Sequence, residues 1–500
     1  MWVASTVVVG AATLVLALNF WIVFSEVVNV RGDEPNVLHS VQKLLAHEEL
    51  YSDPAAAPFD VVQYTPLYHY AVAGLARAAR ISRDDVGRLY VLARLVSISF
   101  LIASLLVAQA LVMALASGGR TAAVVGCAAL VIVTSPWQAL ARPDAMTAFF
   151  LMVMLYAVVR SFSGRWLIWL LIASIAGAGA AGAKQSGLFG VVAVALYLAG
   201  CRAGRPFWVF SCSVAAWLIA GAAVAYGVFG PHDLISNVVD GLDNGASVGA
   251  AWRNTYEPFL ANFAVLLVAT TVAATRHLRS LRLDGRSFLA LYCTTVFALS
   301  TIAALKVGSA VNYYNDFLWA AVPFLTVELW DALRQRVLPA PPVLLGGCLY
   351  ASVVALTITT YQVDHYWLSI RGDKLATREG VVRRLRTELA SCPNSYFVSF
   401  DQAVALLLHD RALAPQAALA AIQHQRRVVD YAVFEGMVRD GRVNLLVAKG
   451  KPTRFLGVDF RAASLVAVVD GWQIFRPSTS PCGQKDAESP RDDMARRVAR

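Results

Sequence analysis

The chain has 500 residues, of which 58% are hydrophobic and 15% charged, with a formal net charge of +10. A soluble chain carries about a quarter charged residues, so this composition and a mean hydropathy of +0.56 exclude a soluble globular protein. Much of the Arg excess lies in short loops between apolar runs, and no basic patch interleaved with aromatics is present. The positive charge therefore reads as membrane orientation and contact with lipid headgroups, and nucleic acid is excluded as a partner.

The apolar runs are long enough to cross about 30 Å of hydrocarbon. They predict spans at about 2–24, 92–116, 121–136, 144–160, 166–183, 186–200, 207–229, 258–275, 288–306, 313–332 and 340–360, or about eleven transmembrane helices. The first span has no basic leader and no small-residue cleavage site, so it reads as an uncleaved helix.

Asp33-Glu34 follows the first span and opens a long loop, 25–91. Adjacent acids at a membrane edge are costly and mark a functional site by default. A carboxylate there can take the proton of an attacking hydroxyl; the plainer reading is helix capping ahead of Pro35. From Pro35 to Tyr51 the pattern predicts an amphipathic helix lying in the interface plane, with Val37, Leu38, Val41, Leu44 and Leu45 apolar and His39, Gln42, Lys43, Glu48 and Glu49 polar. Residues 64–80 are apolar but short and end in Arg77 and Arg80, which predicts a re-entrant or interfacial helix. Tyr64, Tyr68 and His69 at its start could stack on a sugar ring or line a lipid groove, or simply form an interfacial aromatic belt.

Further along, Arg142-Pro143-Asp144 opens the fourth span. Asp144 is a second membrane-edge acid, or an N-cap. Lys184 follows the small-residue run Ala176–Ala183, which allows close helix packing. It could pair with a phosphate or snorkel to headgroups. The loop Lys306–Asp316 is rich in polar donors, of which Lys306, Asn312 and Tyr313 are candidates to clamp a phosphate or sugar. Asp240 and Asp243 read as a solvated turn.

With eleven spans and a cytoplasmic N-terminus, Arg120, Arg160, Arg165, Arg202, Arg205, the run Arg276 to Arg286, Arg334 and Arg336 fall on the cytoplasmic side, as the positive-inside rule asks. The acid pair, Asp144, Lys184, Lys306–Asn315 and everything after about residue 361 then share the extracytoplasmic face. The segment 361–480 reads as a small soluble α/β domain, with strand-like runs at 396–400, 443–447 and 465–475 and helix-like runs at 403–409 and 430–439. Residues 481–500 are polar and predict a disordered tail. Cys392 and Cys482 bracket the domain and are a candidate disulfide in an oxidising compartment. The other five cysteines read as apolar filler.

No Walker A, strand-borne GxGxxG, GxSxG or HExxH motif is present, so nothing local supports nucleotide-driven transport. Taken in order, Gly32-Asp33-Glu34, Tyr64-Thr65-Pro66-Leu67-Tyr68, Arg142-Pro143-Asp144, Ala183-Lys184, Lys306-Val307-Gly308-Ser309 and Asn312-Tyr313 resemble the GT-C membrane glycosyltransferases. The similarity is to the bacterial branch related to protein O-mannosyltransferases and the lipid A aminoarabinose transferase, over roughly residues 1–330.

The resemblance implies a polytopic α-helical module at 1–360 followed by an extracytoplasmic α/β domain, in a bacterial inner (cytoplasmic) membrane. It also implies transfer of a sugar from a polyprenyl phosphate donor to a hydroxyl of a lipid, glycan or protein acceptor. Asp33 would match the base, Glu34 a positioning acid and Asp144 the second-loop acid. Arg142 and Lys184 would hold the donor phosphate. No cofactor is required, or a divalent metal ion would be held by Asp33 and Asp144. A polysaccharide polymerase or ligase would place its large loop late in the chain, and a transporter would show inverted repeats. Neither pattern is seen.

Overall fold

The computed structural model describes residues 2–25, 28, 34–116, 119–335 and 374–480. Asp33, Cys482, the expected span at 340–360 and the tail from 481 lie outside them.

The chain is a polytopic α-helical membrane protein with a C-terminal α/β region. Its helices are α1 (Trp2–Val23), α2 (Glu34–Leu45), α3 (Leu67–Ala78), α4 (Val86–Leu115), α5 (Arg120–Gln138), α6 (Asp144–Ser161), α7 (Trp166–Ala183), α8 (Gly187–Gly200), α9 (Gly204–Phe229), α10 (Pro231–Val238), α11 (Val248–Ala251), α12 (Glu257–Leu278), α13 (Gly285–Ala303) and α14 (Asn315–Arg334). Among the described residues seven helices are long and apolar enough to span a membrane, and Arg120–Thr134 and α8 are shorter apolar helices. The expected spans up to residue 332 each coincide with a helix. The segment 64–80 holds only the short α3.

Local chemistry explains several boundaries. Asp85 caps α4 by accepting from the Arg88 amide, and Asp284 caps α13 by accepting from the amides of Arg286 and Ser287. The α7–α8 hairpin turns at Lys184, whose backbone is extended, and Gly187 then lies so close to the Ala180 backbone that a Cβ has no room. The helix core is apolar and aromatic, with Trp319, Tyr292, Phe288 and Phe259 fully buried.

Two expectations need correction. The amphipathic helix ends at Leu45, not Tyr51, and its polar face is not solvated. His39, Gln42 and Lys43 are buried because the later part of the loop and the C-terminal region cover them. Gln42 donates to the Leu406 carbonyl at 3.2 Å and to that of Arg83 at 2.8 Å. Lys43 meets Asp60 at 3.1 Å, with His39 at 3.7 Å from the same carboxylate oxygen.

Beyond residue 374, helices α15 (Glu379–Ala390), α16 (Gln402–Leu407), α17 (Ala417–Arg426) and α18 (Ala432–Arg439) flank a five-stranded sheet. Its strands are β1 (Tyr396–Ser399), β2 (Ala412–Leu413), β3 (Val443–Ala448), β6 (Ser464–Val469) and β7 (Trp472–Arg476). Their order is β2-β1-β3-β7-β6, and β4 (Arg454–Phe455) and β5 (Val458–Asp459) form a separate pair. The pairings of β1 with β2 and β3 are parallel and those of β7 are antiparallel. Sequence reading missed β2, the β4–β5 pair, α15 and α17.

One core of this region is completed from outside. Phe59, from the first loop, is buried against Tyr431 and Phe434, with ring centroids 5.9 and 5.6 Å away. The Ala414 amide donates to the Pro58 carbonyl at 2.7 Å. Cys392 is disulfide-bonded. Cys127, Cys201, Cys212 and Cys293 have free thiols, so its partner lies outside the described residues.

Candidate active site

The loops expected to share one face do meet. Glu34, at the start of α2, is fully buried and takes two hydrogen bonds from Arg94 of α4, at 2.9 and 2.8 Å. One of its oxygens also accepts from the Ala141 amide at 2.9 Å. Arg94 in turn donates to the carbonyls of Ile22 and Ser25 at 3.1 Å each. A buried, bidentate, fully hydrogen-bonded pair of this kind fixes geometry. It pins the end of α1, the start of α2 and the 139–144 loop to α4.

Asp144 begins α6 and is buried. Its Oδ2 accepts from Arg142 Nε at 3.1 Å and its Oδ1 from Lys184 Nζ at 2.8 Å. Arg142 also donates to the Tyr64 hydroxyl at 3.0 Å. The Asn312 amide fits best with its oxygen accepting from Arg142 at 3.1 Å and its nitrogen donating to the Ala310 carbonyl at 3.3 Å. Turned the other way, it reaches Asp144 only at 3.5 Å. Lys184 lies within electrostatic reach of Asp316, which accepts a hydrogen bond from Ser186. Tyr313 lies within similar reach of Lys184, Tyr64, Arg142 and Asp144.

Two cations thus converge on one carboxylate at the membrane edge, beside Asn312, Tyr64 and Tyr313. Both oxygens of Asp144 are engaged by cations, which makes it a poor ligand for a divalent metal. Among the described residues, no three His, Cys, Asp or Glu side chains converge as metal ligands.

Neighbouring loops hold this cluster in place. Gln185 donates to the Gln63 carbonyl at 2.6 Å, and Gln63 donates to that of Gly241. The Gly245 and Val307 backbones pair, as do those of Leu305 and Ser247, and Lys306 bridges Ala246. Asp240 and Asp243 are exposed, as expected of a solvated turn, while residues 245–247 just after them pair with the 305–307 backbone and Asp243 meets Arg426 at 3.2 Å.

Not every candidate joins the cluster. Lys306 is half-buried in its bridge. Tyr68 is fully buried in the core, its hydroxyl 2.9 Å from both the Ala93 carbonyl and Ser97 Oγ. His69 is also fully buried, against a small cavity lined by Asn36, Ser40, Gln63, Tyr64 and Gln416. Burial pushes its imidazole down to about 4, so the ring is neutral. Arg94 was missed from sequence. A lone Arg inside an apolar run, 60 residues past an acid at a membrane edge, was the available cue.

No protein-family model matches the chain, and no curated protein matches it by sequence. Solved structures do. ArnT from Cupriavidus metallidurans, bound to undecaprenyl phosphate, matches with a TM-score of 0.60 at 12% identity, over 94% of this chain and 99% of that one. Its apo state matches with a TM-score of 0.63 at 11% identity, over 94% and 97%. The archaeal oligosaccharyltransferase AglB from Archaeoglobus fulgidus, in complex with an inhibitory peptide and a dolichol-phosphate, matches with a TM-score of 0.56 at 13% identity, over 89% and 69%. The matches to ArnT cover nearly the whole of both chains, and the fold of this chain is the one that ArnT and AglB share.

Proposed function

We propose that the protein is a membrane glycosyltransferase that moves a sugar from a polyprenyl phosphate donor to a hydroxyl of a lipid, glycan or protein acceptor on the extracytoplasmic face. The observation that carries this reading is the cation pair on Asp144. Arg142 and Lys184 are held side by side by one buried carboxylate, where a lipid-borne phosphate at the membrane edge would arrive. Two structures of this fold carry such lipids, undecaprenyl phosphate in ArnT and dolichol-phosphate in AglB.

In this reading Lys184 and Arg142 take the donor phosphate. Asp144 keeps them oriented before the lipid binds, so no reorganisation is needed as charge develops. Asp33 removes the proton of the acceptor hydroxyl, whose oxygen attacks the anomeric carbon. The bond from that carbon to the phosphate oxygen breaks, and the phosphate leaves with the electron pair, its charge met by the two cations. Attack opposite the leaving group inverts the anomeric centre. Glu34 transfers no proton, because its oxygens are committed to Arg94 and the Ala141 amide. It is a positioning residue for the loop that bears Asp144. A disulfide between Cys392 and Cys482 would suit the oxidising side of the membrane.

The test is transfer by purified protein in detergent, from a panel of undecaprenyl phosphate sugars to membrane extract. Asp33→Asn is expected to lower turnover by at least about a hundredfold, the low end for a general base. Lys184→Gln is expected to weaken retention of the carrier. Undiminished turnover in Asp33→Asn would remove Asp33 as base. Absence of transfer from every donor, with acceptor confirmed in the extract, would remove the reading.

A further inference from the structure

His69 is one of the buried polar side chains left without a hydrogen-bond partner, and the one that lines a cavity beside the cation pair. Its side chain is fully buried, and neither ring nitrogen has a hydrogen-bond partner. The Thr65 carbonyl influences the ring, but without hydrogen-bond geometry. Buried polar groups are almost always paired, and each exception asks for a cause. Here the ring lines a cavity of about 10 Å³, whose polar walls are Asn36, Ser40, Gln63, Tyr64 and Gln416. That is room for about one water-sized oxygen. Gln416, from the C-terminal region, is itself buried.

The position of the cavity carries the inference further. Asn36 lies in the first turn of α2, three residues beyond Asp33. Tyr64, on the opposite wall, is bonded through its hydroxyl to Arg142 of the cation pair. The recess therefore lies between the first turn of α2, which follows Asp33 in the chain, and the tyrosine that touches the cation pair. A donor sugar whose phosphate sits on Arg142 is then one tyrosine side chain away from it. A neutral imidazole offers one N–H and one lone pair, which suits a hydroxyl, itself donor and acceptor, and does not suit an anion.

We propose that this recess reads one hydroxyl of the donor sugar, through His69 and with Gln416 of the C-terminal region as its cover. His69 is then a specificity residue, and the C-terminal region contributes directly to sugar recognition. The substrate class is a polyprenyl phosphate sugar with a free hydroxyl at one fixed position. A deoxy sugar at that position leaves the recess unfilled, and a methyl group does not fit. This proposal rests on the transferase reading, so its test separates the two.

Binding of carrier lipids to full-length protein in detergent is measured without turnover, using bare undecaprenyl phosphate and a panel of undecaprenyl phosphate pentoses and hexoses. Wild type is expected to bind the bare carrier through Arg142 and Lys184, and at least one sugar-bearing carrier about tenfold or more tightly, as one well-made hydrogen bond allows. His69→Phe is expected to keep its affinity for the bare carrier and lose that preference. His69→Gln, which keeps a donor and an acceptor, is expected to retain part of it. Retained affinity for the bare carrier also reports that each variant is folded. A full sugar preference in His69→Phe would overturn the proposal, and so would a wild type that prefers no sugar over the bare carrier. A wild type that does not bind the bare carrier would overturn the transferase reading and this proposal with it.

Discussion

At the scale of single residues, Arg94 and Glu34 show how charge is used inside this fold. Both are completely buried, so removing one strands the other in a low-dielectric interior, which costs about 3–5 kcal/mol. Arg94→Met is therefore expected to lower the melting temperature in detergent far more than a change at an exposed arginine such as Arg88, and thermal unfolding followed by fluorescence checks this. The buried histidines give a pH dependence. His39 and His69 are both held below their ordinary 6.5 by burial, with His69 at about 4. The unfolded chain then takes up protons that the folded chain refuses, so stability is intact above about pH 6.5 and falls as the pH drops toward 4. For His69 the window of about 2.5 units amounts to about 3 kcal/mol. Asp60 adds to the loss only at lower pH. Burial raises its carboxyl, but Lys43 and His39 outweigh burial and hold it below 3.8, so its contribution disappears as pH falls through that lower value. Melting temperatures of wild type and His69→Phe from pH 7.5 to 4.5 should fall in both, less steeply in the variant.

At the scale of elements, what the sequence made legible follows from period and length. Long apolar runs announce spans by composition alone. The 64–80 segment declared itself too short to cross, and the strands at 396–399 and 443–448 show as short, largely apolar runs rich in β-formers. Partners far apart in the chain stayed hidden. The polar stripe of α2 looks like a face for water, and only the fold shows that Asp60 and the Leu406 carbonyl meet it there. The site was legible as a set of membrane-edge charges, because placing charge beside hydrocarbon is costly wherever the chain goes. The pairing of Arg142 and Lys184 on one carboxylate was not, since it needs the α7–α8 turn and the 139–144 loop brought together. A consequence at this scale is that Asp144→Asn removes the one carboxylate that both cations share. It is expected to destabilise the cluster and weaken retention of bare undecaprenyl phosphate by about tenfold or more, through loss of cation orientation, and a carrier-binding measurement checks it.

At the scale of the molecule, the first loop acts as a clamp between the membrane helices and the C-terminal region. Phe59 completes that region's core, and Gln42 reaches across to Leu406. Deleting a buried aromatic ring costs about 3–5 kcal/mol. Phe59→Ala is therefore expected to loosen the C-terminal region while leaving the spans folded. Limited proteolysis should then cut within 374–480 at lower protease than in wild type, with the membrane fragment intact.

The length of α8 has a consequence for the bilayer. At 1.5 Å per residue, its 14 residues measure about 21 Å, short of the roughly 30 Å of hydrocarbon around it. It presents a lipid-facing row of Leu188, Val192 and Leu196. The 30-residue α4 and the 26-residue α9 have length to spare, so the mismatch is greatest at α8, on the flank that carries Lys184. Lipid beside α8 must thin, or headgroups must sink, by up to about 9 Å. A dimple of this kind would lower a prenyl phosphate to the level of Lys184 without drawing the polar group through hydrocarbon. The protein should therefore retain carrier better in vesicles of short-chain phosphatidylcholine than in thick ones.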